Sequence, residues 1–441
     1  MSAEPGSGAP ASGRRSSGGA VSSVPGLVRD LVSQFDRPLD FYRELIQNAI
    51  DASTNRIDVV LSHDGERGLI RVMDDGEGMD ERIIDDYLLV LFRSTKEGDF
   101  TKIGKFGIGF VSVFALQPQL VRVLTGKAGE SWRLDFPSYQ RYEKYRMSQP
   151  RDGTVVELHK AMTREEFDRL AEESAKTIRY WCKHSECRIY FQVSGRDPEP
   201  RLLTEPFGLE DASLTFREEG TDVALGFSEE AKPFYGFYNR GLTLKEGQEA
   251  HFPGVRFKAK SRYLEHTLTR DNVMLDENYQ KLMGILKRLT AEQLPERLRV
   301  ELGDLSGKLA ALSAAAAAPG DIPAGAPAPS PADPLLEAWK RRVPYLQWLY
   351  LGTLARWKRS DWKIFPTLSG RTVSLREVRD ALSRSGGRLF YDAGPNRITW
   401  ALECKGALVL PAGPWIDCLS HWLKVPAAQA SQEFIQPEVA K

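Results

Sequence analysis

The sequence predicts an α+β architecture, with helices interrupting a mixed or antiparallel sheet. Three observations carry this. RELIQNAIDAS (43–53) has helical periodicity, NRIDVVLSHDGERGLIRVMDD (55–75) alternates as two strands about a turn, and a charged helix over 163–181 precedes the strand CRIYFQV at 187–194.

The elements follow in order. Residues 1–23 are rich in Gly, Ser, Ala and Pro and form a disordered tail. Pro25-Gly26 opens a short helix with Leu27, Val28, Leu31 and Val32 on one side, and Pro38 suits the first turn of the next. That second helix carries Leu45, Ile46, Ala49, Ile50 and Ala52 on a wide apolar arc, while Glu44, Asn48 and Asp51 share one polar stripe. The turn at Asp64-Gly65 makes 55–75 a hairpin, and strand patterns recur at 119–124, 131–136 and 154–158. These elements compose a domain over 24–185. A second domain, 186–308, holds FYGFYNRGLTL, GVRFKAK and a helix over 276–300. An Ala/Pro-rich linker follows at 309–334, its Ala run prolonging the preceding helix before Pro319. A third unit, 335–441, contains SLRE at 374–377, a capping box.

Composition narrows the function. Among 441 residues, Lys+Arg and Asp+Glu are both 60, so no global basic field draws in nucleic acid or anionic lipid. Cys182, Cys187, Cys404 and Cys418 lack metal-ligand spacing and read as buried or inert thiols of a reducing, cytoplasmic protein. No run of about 18 apolar residues marks a membrane span. The first 23 residues have no apolar stretch of a secretory signal.

The polar stripe is followed by three further motifs. DDGEGM (74–79) ends a strand, IGKFGIGFVSVF (103–114) enters an apolar helix, and Gly153-Thr154 starts a strand. Each alone has an ordinary reading: a solvated Glu44, a hairpin turn at Asp74-Asp75-Gly76, glycines that permit helix packing. All four in this order are much harder to obtain by chance.

These four elements resemble the nucleotide-binding boxes of the GHKL superfamily, whose members include gyrase, heat-shock chaperones, histidine kinases and mismatch-repair ATPases. LVRDLVSQFDRPLDFYRELIQNAIDAS and IGKFGIGFVSVF are most similar to the heat shock protein 90 chaperones, over residues 24–160. The resemblance implies a Bergerat-type α/β sandwich that binds ATP and Mg²⁺, followed by a smaller α/β middle domain and an α+β C-terminal unit. Chemistry agrees with it. Glu44 is a candidate general base that can orient water in line with a terminal phosphate. Asn48 offers a neutral oxygen to Mg²⁺, which takes its other ligands from phosphates and water. Asp51 supports that face. Asp74 can accept the exocyclic amine of adenine. Gly76 and Gly78 let backbone approach a flat base. Gly104, Gly107 and Gly109 put N–H groups at a helix start, an anion site for phosphates. The resemblance adds Met79, Phe106, Ile108 and Phe110 to the nucleotide's surroundings and implies that Thr154 bonds Asp74 or a water. Polar residues 80–103 form a mobile lid, with Lys96 a phosphate contact.

The first histidine, His63, lies within this domain, which counts against autophosphorylation on an upstream histidine. Mismatch-repair ATPases typically read GFRGEAL where this chain reads GKFGIGF. YLEHTLTRDN (263–272) resembles the chaperone segment whose arginine reaches the γ-phosphate, mapping that role to Arg270; a surface arginine is the alternative, and the family's glutamine is Met274 here. Residues 335–441 do not match the chaperones' dimerisation domain. Their opening interleaves Trp339, Trp348, Trp357 and Trp362 with basic residues. That pattern suits single-stranded nucleic acid, or an amphipathic core helix with Leu346, Leu349, Tyr350, Thr353, Leu354 and Trp357 on one side. The expected function is a cytoplasmic, Mg²⁺-dependent, chaperone-like ATPase acting on client proteins, with an ATP-dependent homodimer possible. The alternative is an ATPase switch in a nucleic-acid-associated or defence protein.

Overall fold

The computed structural model describes residues 37–89, 109–267, 272–315 and 332–435. The expected helix near 27–32 and Lys96, Gly104, Phe106, Gly107, Ile108 and Arg270 lie outside them. The chain divides into two units: Met1–Pro206 with Arg240–Thr243, and Phe207–Asn239 with Leu244–Lys441.

In the first unit, strands β1 (Arg56–His63) and β2 (Arg67–Asp74) pair antiparallel as the alternation requires. Ile57, Val59 and Leu61 are fully buried on one face of β1. Each such side chain contributes about 1.5–3 kcal/mol by leaving water. The turn closes because Asp64 Oδ1 accepts the N–H groups of Glu66 at 3.0 Å and Arg67 at 2.8 Å. β3 (Leu120–Lys127), β4 (Glu130–Ser138), β5 (Arg141–Arg146), β6 (Gly153–Ala161), β7 (Arg188–Val193) and β8 (Arg201–Leu202) complete an eight-stranded sheet ordered β5-β4-β3-β6-β2-β1-β7-β8. Only the β1–β7 pair runs parallel. Strand β5, RYEKYR, has no apolar alternation; it is an edge strand whose charges discourage further pairing.

Helices α1 (Phe41–Asp51) and α2 (Arg164–Cys182) pack together. The Tyr42 hydroxyl donates to Ser174 Oγ at 3.0 Å, Trp181 Nε1 donates to Asp40 Oδ1 at 2.9 Å, and the Arg43 guanidinium lies 4.7 Å over the Trp181 ring. A Thr163–Glu166 capping box starts α2.

The second sheet, apart from Leu242 and Thr243, belongs to the second unit and contains β9 (Leu214–Glu218), β10 (Thr221–Phe227), β11 (Phe234–Asn239), β12 (Leu242–Gln248) and β13 (Val255–Ser261), ordered β12-β11-β13-β10-β9. Helices α3 (Glu277–Arg288) and α4 (Leu294–Ala315) follow. One apolar core joins these to the C-terminal elements, from Leu214 to Trp422. Within it Trp339 meets Trp415 edge-on at 5.3 Å and Tyr350 stacks on Trp422 at 4.6 Å. The SLRE box caps its helix as expected, with both Ser374 and Glu377 bonds formed.

The single amphipathic helix expected over the tryptophan-rich stretch is instead three short helices, α5 (Asp333–Lys340), α6 (Val343–Leu349) and α7 (Thr353–Lys358). Gly352, at φ +77°, breaks the run. Leu346, Leu349 and Tyr350 are core residues, but Leu354 is 71% exposed and Trp357 38%. Likewise Cys182, Cys187 and Cys418 are buried as expected, whereas Cys404 is exposed. Burial pushes the Cys182 and Cys187 thiols up and Cys418 up to about 11. No helix among the described residues is long and apolar enough to cross a membrane.

Candidate functional site

The site residues in the first unit occupy one end of the sheet and the helix beside it. Asp74 is the last residue of β2 and pairs in register with Thr154 on β6. Thr154 pairs in turn with Thr125 on β3. Residues directly opposite in register share a face, so the three form one row across three strands. The Thr125 hydroxyl, fully buried, lies 3.0 Å from the Thr154 hydroxyl and accepts the Met79 N–H at 2.9 Å. Thr125 escapes a sequence reading because its place depends on the β3–β6 register, set 29 residues away from Thr154.

Asp74 is the electrostatically unusual member. Burial raises its carboxyl to about 6, against the opposing pull of the Gly76 and Thr154 backbone N–H groups. The Gly76 N–H reaches Asp74 Oδ1 at 3.0 Å. Asp75 is the opposite case. The Thr54 hydroxyl donates to its Oδ1 at 2.5 Å, and the Asn55 and Arg56 N–H groups add bonds at 2.8 and 3.0 Å. The Thr54 bond leads in holding that carboxyl low. Asp75 thus ties the segment after α1 to the end of β2, and the Glu77 N–H to Ala52 carbonyl bond at 3.0 Å does the same.

The glycines have a cause the sequence did not disclose. A Cβ on Gly76 would lie 2.8 Å from the Ala52 carbonyl oxygen. One on Gly78, already at φ +68°, would lie 2.0 Å from the Gly126 carbonyl oxygen. Close backbone packing around Asp74 demands glycine there.

On α1, Glu44 is 5% exposed and Asn48 half-buried. Gly109 abuts this stripe: a Cβ there would sit 2.5 Å from Glu44 Oε2. Phe110, 3% exposed, anchors that junction in the core, 5.5 Å from the Phe136 ring. The structure therefore brings the third motif's last glycine to the first motif's acid. At the end of the stripe, Asp51 Oδ1 accepts a bond from Arg240 Nη1 at 2.9 Å. Burial raises the Asp51 carboxyl and Arg240 opposes that shift. Met79 packs against the core. No cluster of three or more potential metal-binding His, Cys, Asp or Glu side chains occurs among the described residues. A single neutral amide oxygen, that of Asn48, together with phosphate oxygens and water, is a donor set Mg²⁺ accepts.

Residues 42–177 match the family described as histidine kinase-, DNA gyrase B-, and HSP90-like ATPase. This stretch is a GHKL-type ATPase domain, which bears out the resemblance of the four motifs. The chain is 26% identical over 201 residues to the chaperone protein HtpG of Rhodospirillum rubrum, covering 41% of this chain and 31% of that one. It is 28% identical over 130 residues to the DNA mismatch repair protein MutL of Rickettsia africae, covering 28% of this chain and 20% of that one. MutL of Opitutus terrae is 38% identical over 95 residues, covering 19% of this chain and 14% of that one. The matches span less than a third of these relatives. Both kinds of protein are similar to this chain at low identity.

Proposed function

We propose that this chain binds ATP with Mg²⁺, hydrolyses it, and uses the cycle as a chaperone-like machine of the heat shock protein 90 type, acting on client proteins in the cytoplasm. The observation that carries the reading is the buried Glu44 carboxylate against Gly109 on the same unit as the Asp74–Thr154–Thr125 row. Asp74 accepts the adenine amine, and Thr154, Gly76, Gly78 and Met79 surround the base. Gly109 and Phe110, with Gly104, Phe106, Gly107, Ile108 and Lys96, would contact the phosphates. Glu44 takes a proton from the attacking water. Asn48 would hold Mg²⁺, which supplies charge neutralisation on the phosphates, and Asp51 supports that face. Arg270 would add positive charge at the transferring phosphate.

Asp74 makes the reading testable by pH. Its folded carboxyl titrates at about 6 against an ordinary 3.8. The free protein therefore holds a proton that the unfolded chain has lost between those values. Asp74's contribution is most favourable below the lower value and is lost as pH rises through about 6. Ligand binding runs the other way, because only the ionised group is a pure acceptor. Adenosine, which has no phosphate to titrate, should bind about tenfold more weakly at pH 5 than at pH 8, as NMR titration would show. A flat profile would remove Asp74 from the base site.

The MutL relatives keep one second reading, an ATPase switch that works with nucleic acid. A gel shift with single- and double-stranded DNA at low salt separates the two. The chaperone reading expects no shift; a salt-sensitive complex would favour the switch.

A further inference from the structure

We propose that Arg240 is a positioning residue for ATP hydrolysis, holding Asp51, and with it the last turn of α1, so that Glu44 keeps its place. The inference rests on the ATP reading above.

Residues Arg240–Thr243 belong to the first unit. Arg240 and Asp51 are paired through the 2.9 Å bond although they stand 189 residues apart. Their side chains are 46% and 31% exposed, so solvent screens the pair. What sets it apart from an ordinary surface ion pair is the backbone that delivers it. Arg240 has φ +46°, a left-handed conformation rare outside glycine, which persists only where the surroundings over-determine it. The next three residues supply that constraint. Gly241, at φ +88°, lies so close to the His184 carbonyl that a Cβ would sit 1.7 Å from its oxygen. Leu242 is buried in the same core as Leu45 and Ile46 of α1. The Thr243 hydroxyl donates to the Tyr180 carbonyl at 2.7 Å.

Helix α1 is thereby fixed at both ends. Trp181 holds its first turn through Asp40 and Arg43, and Arg240 holds its last residue. The charge placement is physically apt. Asp51 adds negative charge where the helix dipole is already negative, and a cation there offsets both. Without Arg240, a carboxylate already raised by burial loses its paired cation, and the last turn is free to shift. Glu44 and Asp51 lie seven residues apart on one stripe, about 10 Å along the axis, so such a shift reaches the general base.

The test uses the full chain, with phosphate release, ATP affinity and thermal midpoint measured together. Arg240→Ala should lower kcat about 3–10-fold, leave ATP Kd within about twofold and keep the melting midpoint. Arg240→Lys should recover at least half of the lost rate, because charge rather than the planar fork does the work. Arg240→Ala combined with Asp51→Asn should be no slower than the slower single variant, since both remove one interaction. Unchanged kcat in Arg240→Ala, a parallel loss of kcat, affinity and melting midpoint, additive losses in the double variant, or no recovery with lysine would each overturn the positioning role. No hydrolysis by the wild type would overturn the ATP reading and this one with it. Wild-type hydrolysis with an unaffected Arg240→Ala overturns only this one.

Discussion

Replacing Glu44 with alanine is expected to cut steady-state phosphate release by about 10²–10⁴-fold, the usual contribution of a general base. ATP affinity should change little. The asymmetry follows from geometry: Glu44 sits on the stripe of α1 against the Gly109 backbone, while the Asp74–Thr154–Thr125 row, proposed to recognise the base, lies on β2, β6 and β3. Removing the carboxylate leaves the adenine partners intact. Glu44→Gln, which keeps side-chain volume in a position only 5% exposed, should lose hydrolysis to a similar extent. That comparison separates the proton-accepting role from packing. Either variant hydrolysing at the wild-type rate would sink the assignment of Glu44 as base.

Replacing Asp74 with asparagine should do the reverse and weaken binding first. The asparagine oxygen can still accept the Gly76 N–H, so the local fold survives. Its amide then turns a donor toward the adenine amine, and a mismatched buried donor pair costs about 2–3 kcal/mol, or roughly 30–150-fold in Kd. Calorimetry would measure it. A second consequence has the opposite sign. Because burial opposes ionisation of Asp74, the neutral amide should raise the melting temperature of the nucleotide-free protein at pH 7.5. A variant that binds ATP normally, or that loses binding by unfolding, would contradict this account.

How much of this was legible in the sequence depends on the range of the interaction responsible. The β1–β2 hairpin is read directly, because period-two alternation and an Asp-Gly turn are local properties and one face is buried. The acid-amide stripe of α1 is read for the same reason, at helical period. Thr125 is not, since β3–β6 register brings it beside Thr154. Arg240 is not, since nothing near it in sequence marks it as a partner of Asp51. The packing need at Gly76 and Gly78 is not read, since the Ala52 and Gly126 carbonyls that crowd them come from other segments. The tryptophan-rich stretch misleads because apolar spacing continues across Gly352, while a positive φ there ends the helix. Strand β5 gives no signal, as an edge strand needs no apolar face.

The aromatic residues are unevenly shared. Of nine tryptophans, only Trp132 and Trp181 belong to the first unit, leaving seven in the second. Bulk ultraviolet emission and near-ultraviolet dichroism therefore report chiefly on the second unit, where Trp339 and Trp415 are in contact. Trp181 is the exception worth isolating. It lies under Arg43, the neighbour of Glu44, and so is a built-in optical probe of the helix that carries Glu44. A chain in which the other eight tryptophans are changed to phenylalanine would let that helix be watched without an added label.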